Sequence, residues 1–160
     1  MPKEINQEIN TDLQNLPGHL IRRLNQIAVG IFMLEMEAFG LTPIQFAALQ
    51  AIYQQPKLDQ KTLANIIGLD TSTTGGVIDR LELRGLVDRH APEFDRRVRL
   101  LVLTEEGKSI LHSATPLMLN AQERILSPLS ANDQKTFMKL LNRLVIENNE
   151  YSRAPSQTKT

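Results

Sequence analysis

The chain has 160 residues, a formal net charge of zero at pH 7 and no cysteine, which fits one domain with or without helical extensions. The lack of cysteine excludes a disulfide framework, a zinc ribbon and cysteine-based redox sensing, and the neutral balance disfavours nonspecific coating of nucleic acid. Residues 1–12 show no signal-peptide pattern and no apolar run reaches transmembrane length. We therefore expect a cytoplasmic protein that does not enter a membrane.

Residues 13–39 predict one long helix, which Pro17 and Gly18 delay or kink near its start. Its apolar residues alternate spacings of four and three, and they are Leu20, Leu24, Ile27, Ile31, Leu34 and Ala38. This is typical of a coiled-coil seam, which needs a partner from the remaining helices or from a second subunit. Another face of the helix carries His19, Arg22, Arg23 and Gln26. That polar face fits an ordinary solvated surface as well as it fits an anion-binding wall.

The next helix has three agreeing start signals. Thr42 is the predicted cap, Pro43 takes the first helical position and Gln45 completes a capping box. The predicted buried face consists of Phe46, Leu49, Ile52 and Tyr53.

Two short helices follow, separated by a glycine-containing turn around Gly68, and this arrangement is typical of a helix-turn-helix. Asp59 caps the first of them. The second begins near Asp70 or Thr71 and opens with small side chains, namely Thr71, Ser72, Thr73, Thr74, Gly75 and Gly76. Each glycine inside a helix costs about 1 kcal/mol relative to alanine, so close approach to another surface is a physical reason for it. A helix that enters the major groove of DNA needs such a thin, hydrogen-bonding end.

The same helix continues with an apolar inner face and two arginines, Arg80 and Arg84, on or beside its outer side. Residues 86–90 and 97–103 predict the two strands of a hairpin, and 91–96 form its loop. Arg96, Arg97 and Arg99 cluster at the tip of this hairpin, where a planar guanidinium suits phosphate and the narrow minor groove. Nearby acidic residues offset most of the charge, so the DNA interpretation depends on arrangement. The whole unit, 42–103, predicts a winged helix-turn-helix.

Two further helices are predicted after the hairpin. Thr104 caps the first, which Pro116 should kink or split, and Ser130 caps the second. Together with the first helix they carry more apolar surface than a small winged helix covers. We therefore expect residues 1–41 and 104–151 to form a helical dimerisation lobe, followed by a flexible tail at 152–160. The predicted fold class is mainly α with a small β-hairpin wing.

The runs DRLELRGLVDR (residues 79–89) and DRRVRLLVLTEEG (residues 95–107) resemble the MarR family of bacterial transcriptional regulators, as does the order of the flanking helices. The resemblance implies a dimer that reads a palindromic operator, with Asp95 and the arginines that follow it in the wing. It also implies a third small strand at 57–58, added to the sheet of the wing, and a pocket for a small aromatic acid beside the first helix. The residues implied for this pocket are His19, Arg22, Arg23, Gln26, Met33, Met36 and Phe46.

The sequence thus favours a dimeric DNA-binding regulator, a repressor released by a small aromatic carboxylate. Two alternatives stay open, a winged-helix protein-interaction module without DNA affinity and a regulator with no small-molecule effector. We expect no enzyme activity, cofactor or metal, because the three histidines fall on separate elements and no phosphate loop or metal-ligand spacing occurs.

Overall fold

The computed structural model describes residues 12–155 of the chain, which form six α-helices and a three-stranded sheet. The helices are α1 (Pro17–Glu35), α2 (Pro43–Gln54), α3 (Gln60–Ile67), α4 (Thr71–Leu83), α5 (Glu105–Leu126) and α6 (Ala131–Glu147). The strands are β1 (Leu58–Asp59), β2 (Val87–His90) and β3 (Leu100–Leu103). This architecture confirms the predicted fold class. The predicted flexible tail, 152–160, lies in large part outside the described residues.

The hydrophobic core is continuous from α1 to α5, with α2 at its centre. Phe46, Leu49 and Ile52 of α2 are buried as predicted, and the Phe46 ring meets Phe32 of α1 edge-on at 6.0 Å between centroids. Tyr53 was expected on the same buried face, but 59% of its surface is exposed. The prediction was wrong because Tyr53 lines an open cleft between α2 and α5, although Ile52 beside it is buried. The capping box of Thr42 and Gln45 is confirmed.

Helix α1 is shorter than predicted at both ends. It begins at Pro17, whose fixed φ and missing N–H suit the first helical position, and a short 3-10 turn, Leu13–Asn15, precedes it. It ends at Glu35, and a turn follows in which Gly40 has a positive φ. Most of the predicted seam faces outward, and Leu20, Ile27 and Leu34 are 49%, 51% and 64% exposed. The subunit itself therefore does not cover this apolar stripe.

Helices α3 and α4 form the predicted helix-turn-helix. Asp59 caps α3 and Asp70 caps α4, each by accepting a backbone N–H three residues on. Between the helices, Gly68 adopts the left-handed conformation (φ +69°) that ends α3 and reverses the chain. Within residues 12–155, no helix combines the length and the apolar content that a bilayer span requires.

The sheet is antiparallel with the order β1–β3–β2, so β3 is its central strand. The predicted third strand is confirmed, since Leu58 pairs with Leu101. The second hairpin strand was expected to start at Arg97, but β3 starts at Leu100. Arg97, Val98 and Arg99 belong to the loop instead, because a turn closes there with a hydrogen bond from the Val98 N–H to the Asp95 carbonyl.

Helix α5 packs against the end of the winged unit at Gly107. A Cβ placed on Gly107 would lie 2.1 Å from the carbonyl oxygen of Leu86, which is backbone and cannot move aside. The Leu86 carbonyl also accepts the N–H of Thr104, and Thr104 caps α5. Pro116 was predicted to kink or split this helix, and the split does not occur, because α5 continues through Pro116 to Leu126. Pro116 is exposed, so water can reach the carbonyl that the proline ring leaves without its N–H donor.

We predict that Gly107→Ala lowers the free energy of unfolding by about 3 kcal/mol, because the methyl group must displace backbone in a packed region. The matched control is Gly30→Ala in α1, where a Cβ meets nothing within 4 Å and helix propensity improves. Urea unfolding followed by circular dichroism measures both variants. Equal stability of Gly107→Ala and the parent chain would contradict this close approach.

Candidate nucleic-acid interface

Helix α4 has a sharply divided surface. Thr74, Val77, Ile78 and Leu81 face the core and are buried. The opposite face is exposed and consists of Thr71, Ser72, Thr73, Gly76, Asp79, Arg80 and Leu83. Thr74 was predicted among the DNA-contacting residues, but its side chain is fully buried and its hydroxyl donates to the Asp70 carbonyl at 2.9 Å. A threonine can take this inward position because its hydroxyl finds a backbone acceptor one turn earlier.

The N-terminus of α4 is held by Asp70. Its carboxylate accepts from the Thr73 backbone N–H at 2.8 Å and from the Thr73 hydroxyl at 2.6 Å. The hydrogen bond from the Thr73 hydroxyl, followed by the one from its N–H, holds the pKa of Asp70 below its usual value. The charged form is the one stabilised, so the cap is present at neutral pH and is lost as the pH falls through the lowered pKa.

The two glycines of α4 differ in their surroundings. Gly75 was predicted to thin the helix for DNA, but a Cβ there would lie 2.9 Å from Nε2 of Gln60 in α3. That nitrogen donates to the Thr71 carbonyl at 3.0 Å and so ties α3 to the start of α4. Gly75 therefore makes room for an internal contact, whereas a Cβ on Gly76 would meet nothing within 4 Å.

Three of the arginines in this region are used inside the subunit. Arg84 donates to the carbonyls of Phe39 and Gly40 at 2.7 and 3.0 Å, which joins the end of α4 to the turn after α1. Arg99 donates to the carbonyl of Arg96 and thereby braces the loop. Arg89 of β2 forms ion pairs with two carboxylates of α4. Arg84 and Arg99 were predicted as DNA contacts, and their geometry shows them holding the scaffold.

The Arg89 ion pairs join β2 to the outer side of α4. One nitrogen of Arg89 lies 2.6 Å from Asp79 and the other pairs with Glu82. Burial acts to lower the pKa of Arg89, but its hydrogen bond to Asp79 and the charge of Glu82 outweigh burial, so the pKa is raised. The sequence reasoning did not assign Arg89. Two acidic residues three apart on the outer side of a helix were the available signal for such a cation.

Three other arginines have side chains without an internal hydrogen bond or ion pair among the described residues, namely Arg80, Arg96 and Arg97. Arg96 and Arg97 lie in a loop whose shape is set locally. The Asp95 carboxylate accepts the Arg97 N–H at 2.9 Å, and the Asp95 N–H donates to the Pro92 carbonyl. Asp95 therefore shapes the loop, and the two arginine side chains next to it extend into solvent. Such unpaired guanidinium groups are available to phosphate.

The predicted pocket residues fall into two groups. Arg22 contacts both His19 and Gln26 in α1, at 3.5 and 3.3 Å, and Nε2 of His19 is buried without a hydrogen-bond partner. Arg23 is exposed on the same stretch of helix. This first group is a small cationic cluster with one unsatisfied nitrogen, and such a nitrogen calls for an additional donor or acceptor.

The second group is apolar and lies further along the chain. Met36 and Phe46 are buried in the core, whereas Met33 is 42% exposed. Eleven residues separate Arg22 from Met33 in α1, about 16 Å at the helical rise. Met33 therefore lies about three helical turns from Arg22. Neither of the two surface clefts described next is lined by residues of either group.

Two surface clefts lie elsewhere. One, of about 520 Å³, is at the base of the wing loop and is lined by Ala91, Pro92, Glu93, Arg96 and Arg99. The other, of about 610 Å³, lies between α2 and α5 and includes Tyr53, Lys108 and His112 in its lining. Lys108 is ion-paired with Glu105 at 2.6 Å, which reduces its availability to an anion.

A capped helix with an exposed polar face, next to a hairpin with unpaired arginines, defines a winged helix-turn-helix DNA-binding protein. Residues 41–98 match the MarR family. The chain is also 32% identical over 133 residues to the transcriptional regulator HosA of Escherichia coli, covering 83% of this chain and 97% of HosA. The chain belongs to the MarR family and is a transcriptional regulator of the MarR type.

Two solved structures with similar folds carry information on ligands. BpsR of Bordetella bronchiseptica, whose DNA binding is regulated by 6-hydroxynicotinic acid, is 27% identical with a TM-score of 0.77, covering 82% of this chain and 94% of BpsR. The transcriptional repressor CouR, bound to a 23-mer DNA duplex, is 26% identical with a TM-score of 0.77, covering 83% of this chain and 94% of CouR.

We predict that Arg89→Gln weakens binding to operator DNA by about tenfold, because it leaves Asp79 and Glu82 uncompensated beside the DNA-facing surface. Removing these two charges as well, with Asp79→Asn and Glu82→Gln, should restore most of the affinity. Fluorescence anisotropy with a labelled duplex measures each variant. If the triple variant binds as weakly as the single variant, the ion pairs act through something other than charge.

Proposed function

We propose that this regulator is a homodimeric repressor that binds a palindromic operator and is released from it by a small aromatic acid. The observation that carries the proposal is an exposed polar face of α4 beside a wing loop with exposed arginines, on a subunit whose α1 and α6 leave apolar stripes uncovered. We infer that the polar face and the arginines bind DNA and that the apolar stripes form the interface with a second subunit. The carboxylate-binding part of the proposal depends on the cluster around His19 and Arg22.

The proposed dimer interface consists of α1, α6 and part of α5. No residue of α6 is buried, and even the apolar side chains of Leu140, Leu144 and Val145 are 52%, 55% and 62% exposed. An apolar patch of this extent is unusual on a monomer and marks an interaction surface. We accordingly assign residues 1–41 and 104–151 to the dimerisation lobe and 42–103 to the DNA-binding lobe. A two-fold axis would then present two α4 helices about 34 Å apart, one turn of B-DNA.

In the proposed complex, α4 enters the major groove and the wing loop contacts the backbone and minor groove beside it. Thr71, Ser72 and Thr73 would supply hydroxyls, and Arg80, Arg96 and Arg97 would supply charge. Three features support this allocation. All six residues are exposed, the side chains of the three arginines have no internal partner among the described residues, and the chain is similar to CouR, a repressor bound to DNA. Because the proposed target is operator DNA, we also propose that the protein acts in the cytoplasm.

For the effector, we propose that Arg22 and His19 bind the carboxylate of an aromatic acid. Charge-assisted hydrogen bonds would satisfy the buried His19 nitrogen. The apolar wall of Met33, Met36 and Phe46 would reach the same ligand only if it came from the other subunit, which the proposed dimer makes possible. The ligand would release DNA only by preferring the dimer geometry that misfits the operator. The similarity to BpsR supports an aromatic acid as the ligand class.

The alternative of an interaction module without DNA affinity is less well supported, since Arg80 on the exposed face of α4 and Arg96 and Arg97 in the wing loop all keep exposed side chains. A regulator without an effector remains the main competitor, and the ligand experiment below decides it. Catalysis is outside the proposed function, because His19, His90 and His112 lie on α1, β2 and α5, on three separate elements.

The first test uses an operator selected by the wild-type protein from a randomised duplex library, here called the selected operator. We predict that Arg96→Ala and Arg97→Ala weaken binding to it and each lower the slope of log K against log salt by about 1 per lost phosphate contact. Arg143→Ala, an exposed arginine of α6 paired with Glu147, is the control and should change neither quantity. A duplex with a single half-site should bind far more weakly than the selected operator.

Unchanged salt slopes in both wing variants would remove the wing from the DNA interface. Failure of the library to yield any selected duplex at low salt would contradict the DNA-binding function as a whole.

The second test measures the effector response. We predict that 6-hydroxynicotinate or a hydroxybenzoate raises the Tm of the wild-type protein by several degrees, as expected for a ligand of the folded state, and dissociates it from the selected operator. Arg22→Ala should lose both responses and still bind the operator, whereas Arg143→Ala should keep them. A full response in Arg22→Ala would place the ligand elsewhere. No response of the wild type to any acid of the panel would favour the effector-free alternative.

A further inference from the structure

Gly76 is the one interior glycine of α4 that no contact within the subunit explains. It lies in the second turn of α4, between the capped N-terminus and the packed C-terminal half, and it is exposed. Its φ is not in the left-handed region, and an added Cβ would meet nothing within 4 Å. Gly75 beside it differs, because Gln60 occupies the space that a Cβ would need.

A glycine inside a helix lowers helix stability relative to alanine, through the greater freedom of the unfolded chain. Alanine would fit at position 76 of the free subunit without displacing any neighbour. The free subunit would therefore be more stable with alanine, and the reason for glycine must be sought outside the subunit, where another surface approaches α4.

The residues around Gly76 indicate what that surface is. One turn before it lies the exposed hydroxyl of Ser72, and one turn after it lies Arg80, whose side chain has no internal partner among the described residues. Asp79, on the same side, is neutralised by Arg89. The face thus offers hydrogen-bond donors around a gap without a side chain, and this suits the edges of base pairs in the major groove.

We propose that Gly76 is the point at which base-pair edges come closest to α4, and that the missing side chain sets how deeply the helix enters the groove. Short hydroxyls such as that of Ser72 reach a base only if the helix backbone lies close to it. A methyl group at position 76 would hold the helix outward and separate these hydroxyls from the bases. The proposal rests on the operator binding proposed above and adds the residue that determines the depth of the contact.

The experiment compares Gly76→Ala with the wild type in three measurements. The Tm of the free protein should rise by about 2–4 °C, because alanine has a higher helix propensity than glycine. The Kd for the selected operator should increase by about tenfold or more, the size of losing one good base contact. The Kd for a random-sequence duplex, and the salt slope, should stay unchanged, since contacts with phosphate do not depend on the depth of α4.

Ser113→Ala is the matched control, because it raises helix propensity at an exposed position in the middle of α5. It should leave the operator Kd unchanged. Wild-type affinity of Gly76→Ala for the selected operator would overturn the proposal, and so would an equal loss for both duplexes, which would indicate a distorted helix. A fall in Tm would show that glycine is needed within the subunit. These outcomes all require a wild type that binds its operator, so they are distinct from failure of the DNA-binding function itself.

Discussion

The packing of α4 against the core determines which of its residues can meet DNA. Thr74, Ile78 and Leu81 are completely buried, and the Asp70 carboxylate holds the first turn through Thr73. With one side fixed in this way, the rotation of the helix about its axis is fixed as well. Ser72, Gly76 and Arg80 then face outward because they lie opposite the buried residues, and the rest of the DNA-facing surface is arranged around them.

A regulator with no net charge binds a polyanion through the placement of a few cations. The winged unit achieves this by dividing its arginines between two tasks. Arg84, Arg89 and Arg99 are bound by carbonyls or carboxylates of the same subunit, and they hold α4, the sheet and the wing loop in a fixed relation. The others keep their charge available. Arg84 also connects α4 to the turn after α1 through the carbonyls of Phe39 and Gly40.

Two features of the subunit, its uncovered apolar stripes and its isolated cationic cluster, are both explained by a second subunit in the proposed dimer. Apolar stripes on α1 and α6 face solvent, and the cationic cluster around Arg22 lies about 16 Å along α1 from the apolar residues expected beside it. A second subunit packed on the stripes would cover them. It would also offer its own apolar residues to the cluster. In the proposed function, assembly and effector binding are therefore parts of one arrangement.

Local signals were enough to predict the helices, their caps and the winged architecture. Thr42 with Gln45, Asp59, Asp70, Thr104 and Ser130 all cap the helices that follow them, because a cap depends on residues only two or three positions away. The MarR motifs were likewise recognisable in the sequence, because each is a short continuous run, residues 79–89 and 95–107. The third strand was expected from resemblance more than from its two residues.

Only the tertiary structure decided how individual side chains are used. The six arginines between residues 80 and 99 cannot be distinguished by their sequence. Whether each is bound internally can depend on carbonyls and carboxylates far away along the chain, such as the Phe39 carbonyl for Arg84. The same holds for adjacent glycines, since Gly75 is opposed by Gln60 and Gly76 by open space. Caps and periodicity are local and are therefore encoded in neighbouring residues, whereas contacts between distant segments exist only once the chain has folded.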